Sequence, residues 1–222
     1  MSRLLLVAIV AAIILMIVIV SNKFISYDID GQHWNVLAKY SNSAAAAQYL
    51  KELNDKVMIL LRSLRARYHI DVILEPGREH PELPTKVDRR IIEQLLTNYN
   101  PQMIFEANPM SSSDTSFTIN KGESLHFCLR KRDNNQTFIE PNLMMFVTIH
   151  ELAHVANYAS WNHEIEFWEV FKFLLSEATI AGVYTPEDYA HNKKNYCGLA
   201  VSYNPFFDTS VRDLRIGGTL ED

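Results

Sequence analysis

Two cysteines in 222 residues, Cys128 and Cys197, exclude a disulfide-built scaffold and a four-cysteine zinc site, and they leave room for one disulfide at most. Positive charge is not in excess: 21 Lys+Arg stand against 26 Asp+Glu, a formal net charge of -5, which argues against a general polyanion binder. Nor is there an aromatic-interleaved basic run of the kind that binds single strands, since Arg62, Arg65 and Arg67 cluster only modestly. No internal repeat occurs, no low-complexity tract beyond Ala44 to Ala47, and no long Gly/Ser-rich or Pro-rich linker. What the chain does hold is apolar material, 48% hydrophobic against 21% charged, enough for one core of ordinary size and too much for a wholly disordered chain.

That material is uneven. Leu4 to Val20 contains no charged or polar side chain, and at ~1.5 Å per residue the run gives roughly 26 Å of helix, near the lower limit for crossing a bilayer core. It exceeds the apolar region of a signal peptide and leads into Ser21-Asn22-Lys23 without an Ala-x-Ala site. The expectation is therefore an uncleaved single-pass membrane anchor over residues 1–23, with a cleaved signal as the rival. Arg3 and the terminal amine before the run, against Lys23 after it, lean to a cytoplasmic N-terminus. That orientation puts residues 24–222 in a lumenal or external space, where a Cys128–Cys197 disulfide and glycosylation of Asn135-Gln136-Thr137 become available.

Residues 24–43 read as a juxtamembrane segment with a short strand around His33 to Leu37. A domain over residues 44–205 and a loosely structured tail over 206–222 follow. Apolar positions at Leu50, Leu53, Val57, Leu60, Leu61 and Leu64 recur at helical spacing behind a capping Ser43. His69 to Leu74 is a candidate strand, Val87 to Asn98 a second helix, and Thr115 to Ile119 with Ser124 to Arg130 a β-hairpin around Asn120 to Glu123. Pro141 opens a strongly apolar helix, and a further one runs from about Glu164 to Ala181, ended by Gly182.

The chemistry sits in the apolar helix as His150-Glu151-Leu152-Ala153-His154. Residues four apart lie one turn above each other, so both imidazoles can reach one ion while Glu151 stands beside them as a base for water. Composition alone expects about 0.02 such five-residue matches in a chain of this make-up. Two satisfied core histidines are the alternative, but burying them with a glutamate and no partner is costly. A catalytic zinc site needs a third protein ligand. Asn157 and Ser160 stand where the metzincin pattern requires Gly and His, which excludes that class. His163, nine residues after His154, is the expected third ligand, and a gluzincin-like glutamate, Glu177 or Glu169, is the alternative.

The HELAH motif followed by His163-Glu164-Ile165-Glu166-Phe167-Trp168 resembles the SprT-like and WLM zinc metallopeptidases, in which an HExxH helix precedes a third histidine and an aromatic-rich helix. Lys121-Gly122-Glu123, Cys128-Leu129-Arg130, Asp188-Tyr189 and Tyr196-Cys197-Gly198 are similar to WLM-like proteins of large DNA viruses and some protists. The likeness covers roughly residues 115 to 205 and implies an α+β, zincin-like fold: a small sheet with the hairpin packed on the active-site helix. It departs from the family at the apolar N-terminus, since many relatives are soluble and act on DNA–protein crosslinks.

The leading expectation is a membrane-anchored metallopeptidase that cleaves peptide or protein substrates, with Zn2+ on His150, His154 and His163 and Glu151 as general base. No nucleic-acid partner is expected. Tyr184, Tyr189, His191 and Tyr196 are candidate oxyanion donors, and the 124–130 strand offers an edge for an extended substrate. His126 is read as an ordinary strand position and Cys128 as a buried free thiol. The competing functions are a non-catalytic, membrane-tethered interaction module and a DNA–protein-crosslink type protease.

Overall fold

A computed structural model describes residues 5–7, 9, 23–70, 89–108, 115–133, 135–157 and 162–214. The architecture is mixed α+β, with one five-stranded sheet packed against helices. Its strands are β1 (Phe24–Ile29), β2 (Gln32–Leu37), β3 (Ile104–Glu106), β4 (Phe117–Ile119) and β5 (Ser124–Phe127), in the order β1-β2-β3-β5-β4. The two hairpins are antiparallel, whereas β2–β3 and β3–β5 are parallel and need crossovers.

Residues 24–37, expected as a spacer outside the domain, are instead part of it. The segment forms the β1–β2 hairpin, with Trp34 and Val36 in the main core. The two-residue turn Asp30-Gly31 has positive φ at both positions (57° and 77°), the backbone that an Asp-Gly hairpin turn favours. Phe24 to Leu37 are therefore part of the same sheet and core as the residues that follow.

Helix α1 (Ser43–Arg67) buries Leu50, Leu53, Val57, Leu60, Leu61 and Leu64, the stripe expected from their spacing. Its N-cap is Asn42 rather than Ser43, whose hydroxyl shares a 2.7 Å hydrogen bond with Tyr27 and so ties the helix to β1. Helix α2 (Arg89–Asn98) buries Ile91, Ile92 and Leu95. Helices α3 (Pro141–Ala156) and α4 (Ile165–Ile180) pack together, and α3 also contacts α2 and β4. Pro141 stands at the start of α3 as expected.

A small hairpin, β6 (Lys194–Tyr196) and β7 (Leu199–Val201), turns through Cys197-Gly198. Cys197 is disulfide-bonded to Cys128 just after β5, so Cys128 is not the free thiol expected. The C-terminal segment is also better ordered than expected. Pro205–Phe207 form a short 3-10 helix, and the buried Lys172 ammonium donates to the carbonyls of Asp208 (2.6 Å) and Val211 (2.8 Å), which docks residues 205–214 on α4.

A second feature invisible in the hydrophobic pattern is an ion pair between Glu106 and Arg130, both essentially without solvent exposure. Glu106 also accepts from the Leu37 amide at 2.8 Å, while the Arg130 guanidinium donates to Asn42 and lies 4.3 Å from the Tyr40 ring centroid. The pair therefore joins β2, β3, the loop before α1 and the end of β5.

Of the apolar run 4–20, only Leu5, Leu6, Val7 and Ile9 are described, all helical and exposed. Among the described residues no helix is long and apolar enough to cross a membrane, and the expected anchor lies largely outside them. The expected strand at 69–74 begins in a turn at His69 and Ile70, and its remaining residues, like the last residues of the tail, lie outside the described ones.

Candidate metal centre

Helix α3 runs through the core because nearly every side chain from Leu143 to Ala156 is buried. His150 and His154 therefore project from a rigid element, and they emerge on its one polar side. His163 lies two residues before α4, whose Trp168 indole donates to the His163 carbonyl at 3.2 Å and fixes that residue to the helix start.

The three imidazoles converge. The His163 Nε2 atom lies 3.0 Å from that of His150 and 3.1 Å from that of His154. Ligands ~2.0–2.1 Å from one tetrahedral ion stand roughly 3.3–3.4 Å apart, close to the spacing found. Phe167, fully buried at the first turn of α4, contacts all three rings, with centroids 4.9, 4.4 and 4.5 Å from those of His150, His154 and His163. It forms the apolar floor that holds the rings in place.

Electrostatics prepares the same atoms. Burial, with the neighbouring imidazoles adding to it, pulls the pKa of His150 down to about 3 and that of His154 to about 4. Burial lowers His163 as well. All three rings are neutral at pH 7, the state in which a ring nitrogen can bind a metal. Glu151 is only 4% exposed, and burial raises its carboxyl to about 7, with the Thr118 hydroxyl opposing the shift. A carboxyl poised near neutral pH suits exchange of a proton with water.

These groups line a cavity of about 250 Å³. Its other wall comes from β4 and the β4–β5 turn, as Ser116, Phe117, Thr118 and Lys121. Lys121 donates to the Asn157 carbonyl at the end of α3. The turn is held close by Gly122, where an added Cβ would come within 2.5 Å of the Asn98 carbonyl oxygen.

The remaining candidates separate cleanly. Glu177, the alternative third ligand, is buried elsewhere and accepts from Arg67 (2.9 Å) and the Tyr68 hydroxyl (3.0 Å). Glu169 pairs with Arg212. Tyr184 accepts from Asn204, Tyr189 packs against Phe146, and exposed His191 pairs with Asp188. Of the proposed oxyanion donors only Tyr196 reaches the cavity wall, through a hydrogen bond with Ser116. His126 stacks between Phe105 and Phe117 and does not line the cavity.

The expected exposed edge at 124–130 is also corrected. Strand β5 is covered by β3 on one side and β4 on the other, because the parallel β3–β5 pairing consumes the edge that a lone hairpin would leave. Among the described residues β4 is the terminal strand on this side of the sheet, and its residues line the cavity.

Sequence reasoning missed Thr118, Lys121 and Ser116. Lys121 enters only within a family-like string and Ser116 and Thr118 as ordinary hairpin residues, and only the packing of β4 on α3 brings them to the histidines.

A mixed sheet whose edge strand covers a helix bearing two histidines and a carboxylate, with a third histidine returning from the next helix, defines a candidate three-histidine metal centre. The sequence family agrees with it: the WLM domain model matches residues 90–212, and the chain belongs to the WLM domain family. An uncharacterized protein of Acanthamoeba polyphaga mimivirus is 28% identical over 201 residues, covering 88% of this chain and 93% of the viral one. An uncharacterized protein of Invertebrate iridescent virus 6 is 30% identical over 115 residues, 51% of this chain and 62% of its own length. No solved structure gives a significant match.

Proposed function

We propose that this WLM-domain protein is a zinc-dependent metallopeptidase, and the convergence of the His150, His154 and His163 Nε2 atoms beside Glu151 is the observation that carries the reading. The donor set fits the ion: the neutral imidazoles of His150, His154 and His163 converge and would hold a zinc ion, three protein ligands being the number found at catalytic zinc. Such an ion, when bound, supplies Lewis acidity to a water molecule and to a substrate carbonyl.

The chain's own residues supply the rest. The Glu151 carboxylate takes a proton from the attacking water and passes it to the leaving amine. The free edge of β4 offers backbone donors and acceptors to an extended peptide, which would lie across the cavity as an added strand. Apolar packing by Phe167 keeps the ligand rings from turning away.

The reading includes a single-pass anchor at residues 4–20 with the N-terminus in the cytoplasm. The Cys128–Cys197 disulfide supports that orientation, because disulfides persist in oxidising spaces. A membrane-proximal protein substrate follows from it, and no nucleic-acid partner is included.

Elemental analysis of the purified full chain tests the proposal. About one zinc per chain, lost in a His150→Ala/His154→Ala double variant, together with peptide hydrolysis that disappears in Glu151→Gln, is the expected result. A folded wild type that takes up no metal overturns it.

A further inference from the structure

The edge strand that would receive a substrate is also bonded to the base. Thr118, the middle residue of β4, places its Oγ1 2.8 Å from Glu151 Oε2. The same oxygen is 3.4 Å from the Glu151 carbonyl, and its single proton goes to the nearer acceptor, the side-chain carboxyl oxygen. Thr118 pairs with buried Leu125 across the β4–β5 ladder, so its side chain points to the helix face of the sheet.

A threonine suits this task better than a flexible side chain. Its branched Cβ restricts χ1, so once β4 is fixed the hydroxyl is fixed too. The β4 backbone is itself held from two directions. Its ladder with β5 secures one side, and the preceding residue, Ser116, both accepts from the Cys128 amide at 3.1 Å and bonds to Tyr196.

We infer that Thr118 is a positioning residue, whose hydroxyl locks the Glu151 carboxylate in one rotamer and ties its placement to the strand along which the substrate pairs. This rests on the metallopeptidase reading for its catalytic meaning, while the positioning itself can be observed without turnover. A bond to an ionised acceptor is of the stronger kind, so its loss should lower turnover by about 10- to 100-fold.

The test compares full-length wild type with Thr118→Val, which keeps the branched shape, and Thr118→Ser, which keeps the hydroxyl. The expected result is unchanged zinc content in all three, kcat reduced about 10- to 100-fold in the valine variant with KM within about twofold, and most of the loss restored by serine. A second readout needs neither metal nor substrate: the 13C resonance of the Glu151 side-chain carboxyl in glutamate-labelled protein, assigned by its disappearance in Glu151→Gln. It should move in Thr118→Val and return towards the wild-type position in Thr118→Ser. Equal damage from serine and valine, or an unmoved carboxyl resonance in the valine variant, overturns the inference. If wild type binds no zinc or cleaves no peptide, the proposed function fails and the carboxyl resonance still decides the role of Thr118.

Discussion

Reducing the Cys128–Cys197 disulfide should destabilise the metal-free domain by several kcal/mol, and the size follows from the topology. The two cysteines are 69 residues apart in sequence, and the segment between them includes all of α3 and α4. In the chain-entropy treatment, closing a loop of that length removes roughly 15 cal/mol/K from the unfolded chain, or about 4.4 kcal/mol at 25 °C. A domain of this size shifts its melting temperature by about 2–4 °C for each kcal/mol. Reduction without mutation should therefore lower Tm by roughly 9–18 °C. Thermal scans by near-UV circular dichroism, with and without reductant and with chelator in both, measure it. The chelator matters because a metal that binds only the folded state would mask the difference. A Cys128→Ala/Cys197→Ala variant, insensitive to reductant, controls for effects on other groups. Melting temperatures within about 4 °C of each other would refute the reasoning, since they would mean that the unfolded chain gains little freedom from opening this loop.

Three further outcomes follow from the packing and the charges. Removing one member of the buried Glu106–Arg130 pair, as in Arg130→Met, should cost about 3–5 kcal/mol in urea unfolding, because it strands a carboxylate without solvent. The double variant Glu106→Leu/Arg130→Met should recover most of that loss. Gly122→Ala should destabilise by at least about 2 kcal/mol, since φ there is +116° and the new Cβ would meet the Asn98 carbonyl oxygen at 2.5 Å. Chemical denaturation reads this directly, and an unchanged midpoint would contradict the close approach. For pH, the folded values of about 3 for His150 and about 4 for His154 lie below the unfolded value near 6.5. On these two histidines the unfolded state binds more protons across that interval, so their contribution to metal-free stability is complete above about pH 6.5 and is lost as pH drops towards 4, while Glu151, raised by burial to about 7, opposes them with one proton and lessens the net slope. Urea midpoints at pH 7.5 and 5 should show the loss, and His150→Phe/His154→Phe should reduce the slope.

The parts of this fold that repeat at short range were legible in the sequence. The helical stripe of Leu50 to Leu64, the hairpin around Asn120 to Glu123 and Pro141 at the start of α3 all express local preferences, and each appears where expected. The His150–His154 pair belongs to the same class, because four residues on a helix fix its geometry. His163 was reachable only by asking where a third ligand can return, and the structure brings it to 3.0 Å from His150. The β1–β2 hairpin carried a local signal in Asp30-Gly31, yet its neighbour, the apolar run, made the segment read as a spacer. Parallel pairing of β2, β3 and β5 had no local signal at all, since it joins residues about 20 to 70 positions apart.

That non-local pairing explains why the site needed the structure to be completed. Inserting β3 beside β5 converts β5 from an edge to an interior strand and moves the free edge to β4. The same insertion brings Glu106 on β3 to Arg130, three residues past the end of β5, and a buried carboxylate and guanidinium would be intolerable without each other. Pairing and charge therefore select the same register for β3 against β5. With that register set, β4 can lie only on the outer side of β5, where its inward side chain at position 118 meets α3 one residue from His150. The chemistry of the cavity is thus decided partly by Glu106 and Arg130, neither of which lines it. In the Arg130→Met variant the loss of stability should consequently be accompanied by weaker ordering of β4. Amide hydrogen exchange at Phe117 to Ile119, compared with exchange in the α3 core at equal global stability, measures that coupling. Faster exchange confined to β4 is the expected outcome, and uniform acceleration would show that the pair stabilises the domain without selecting the register.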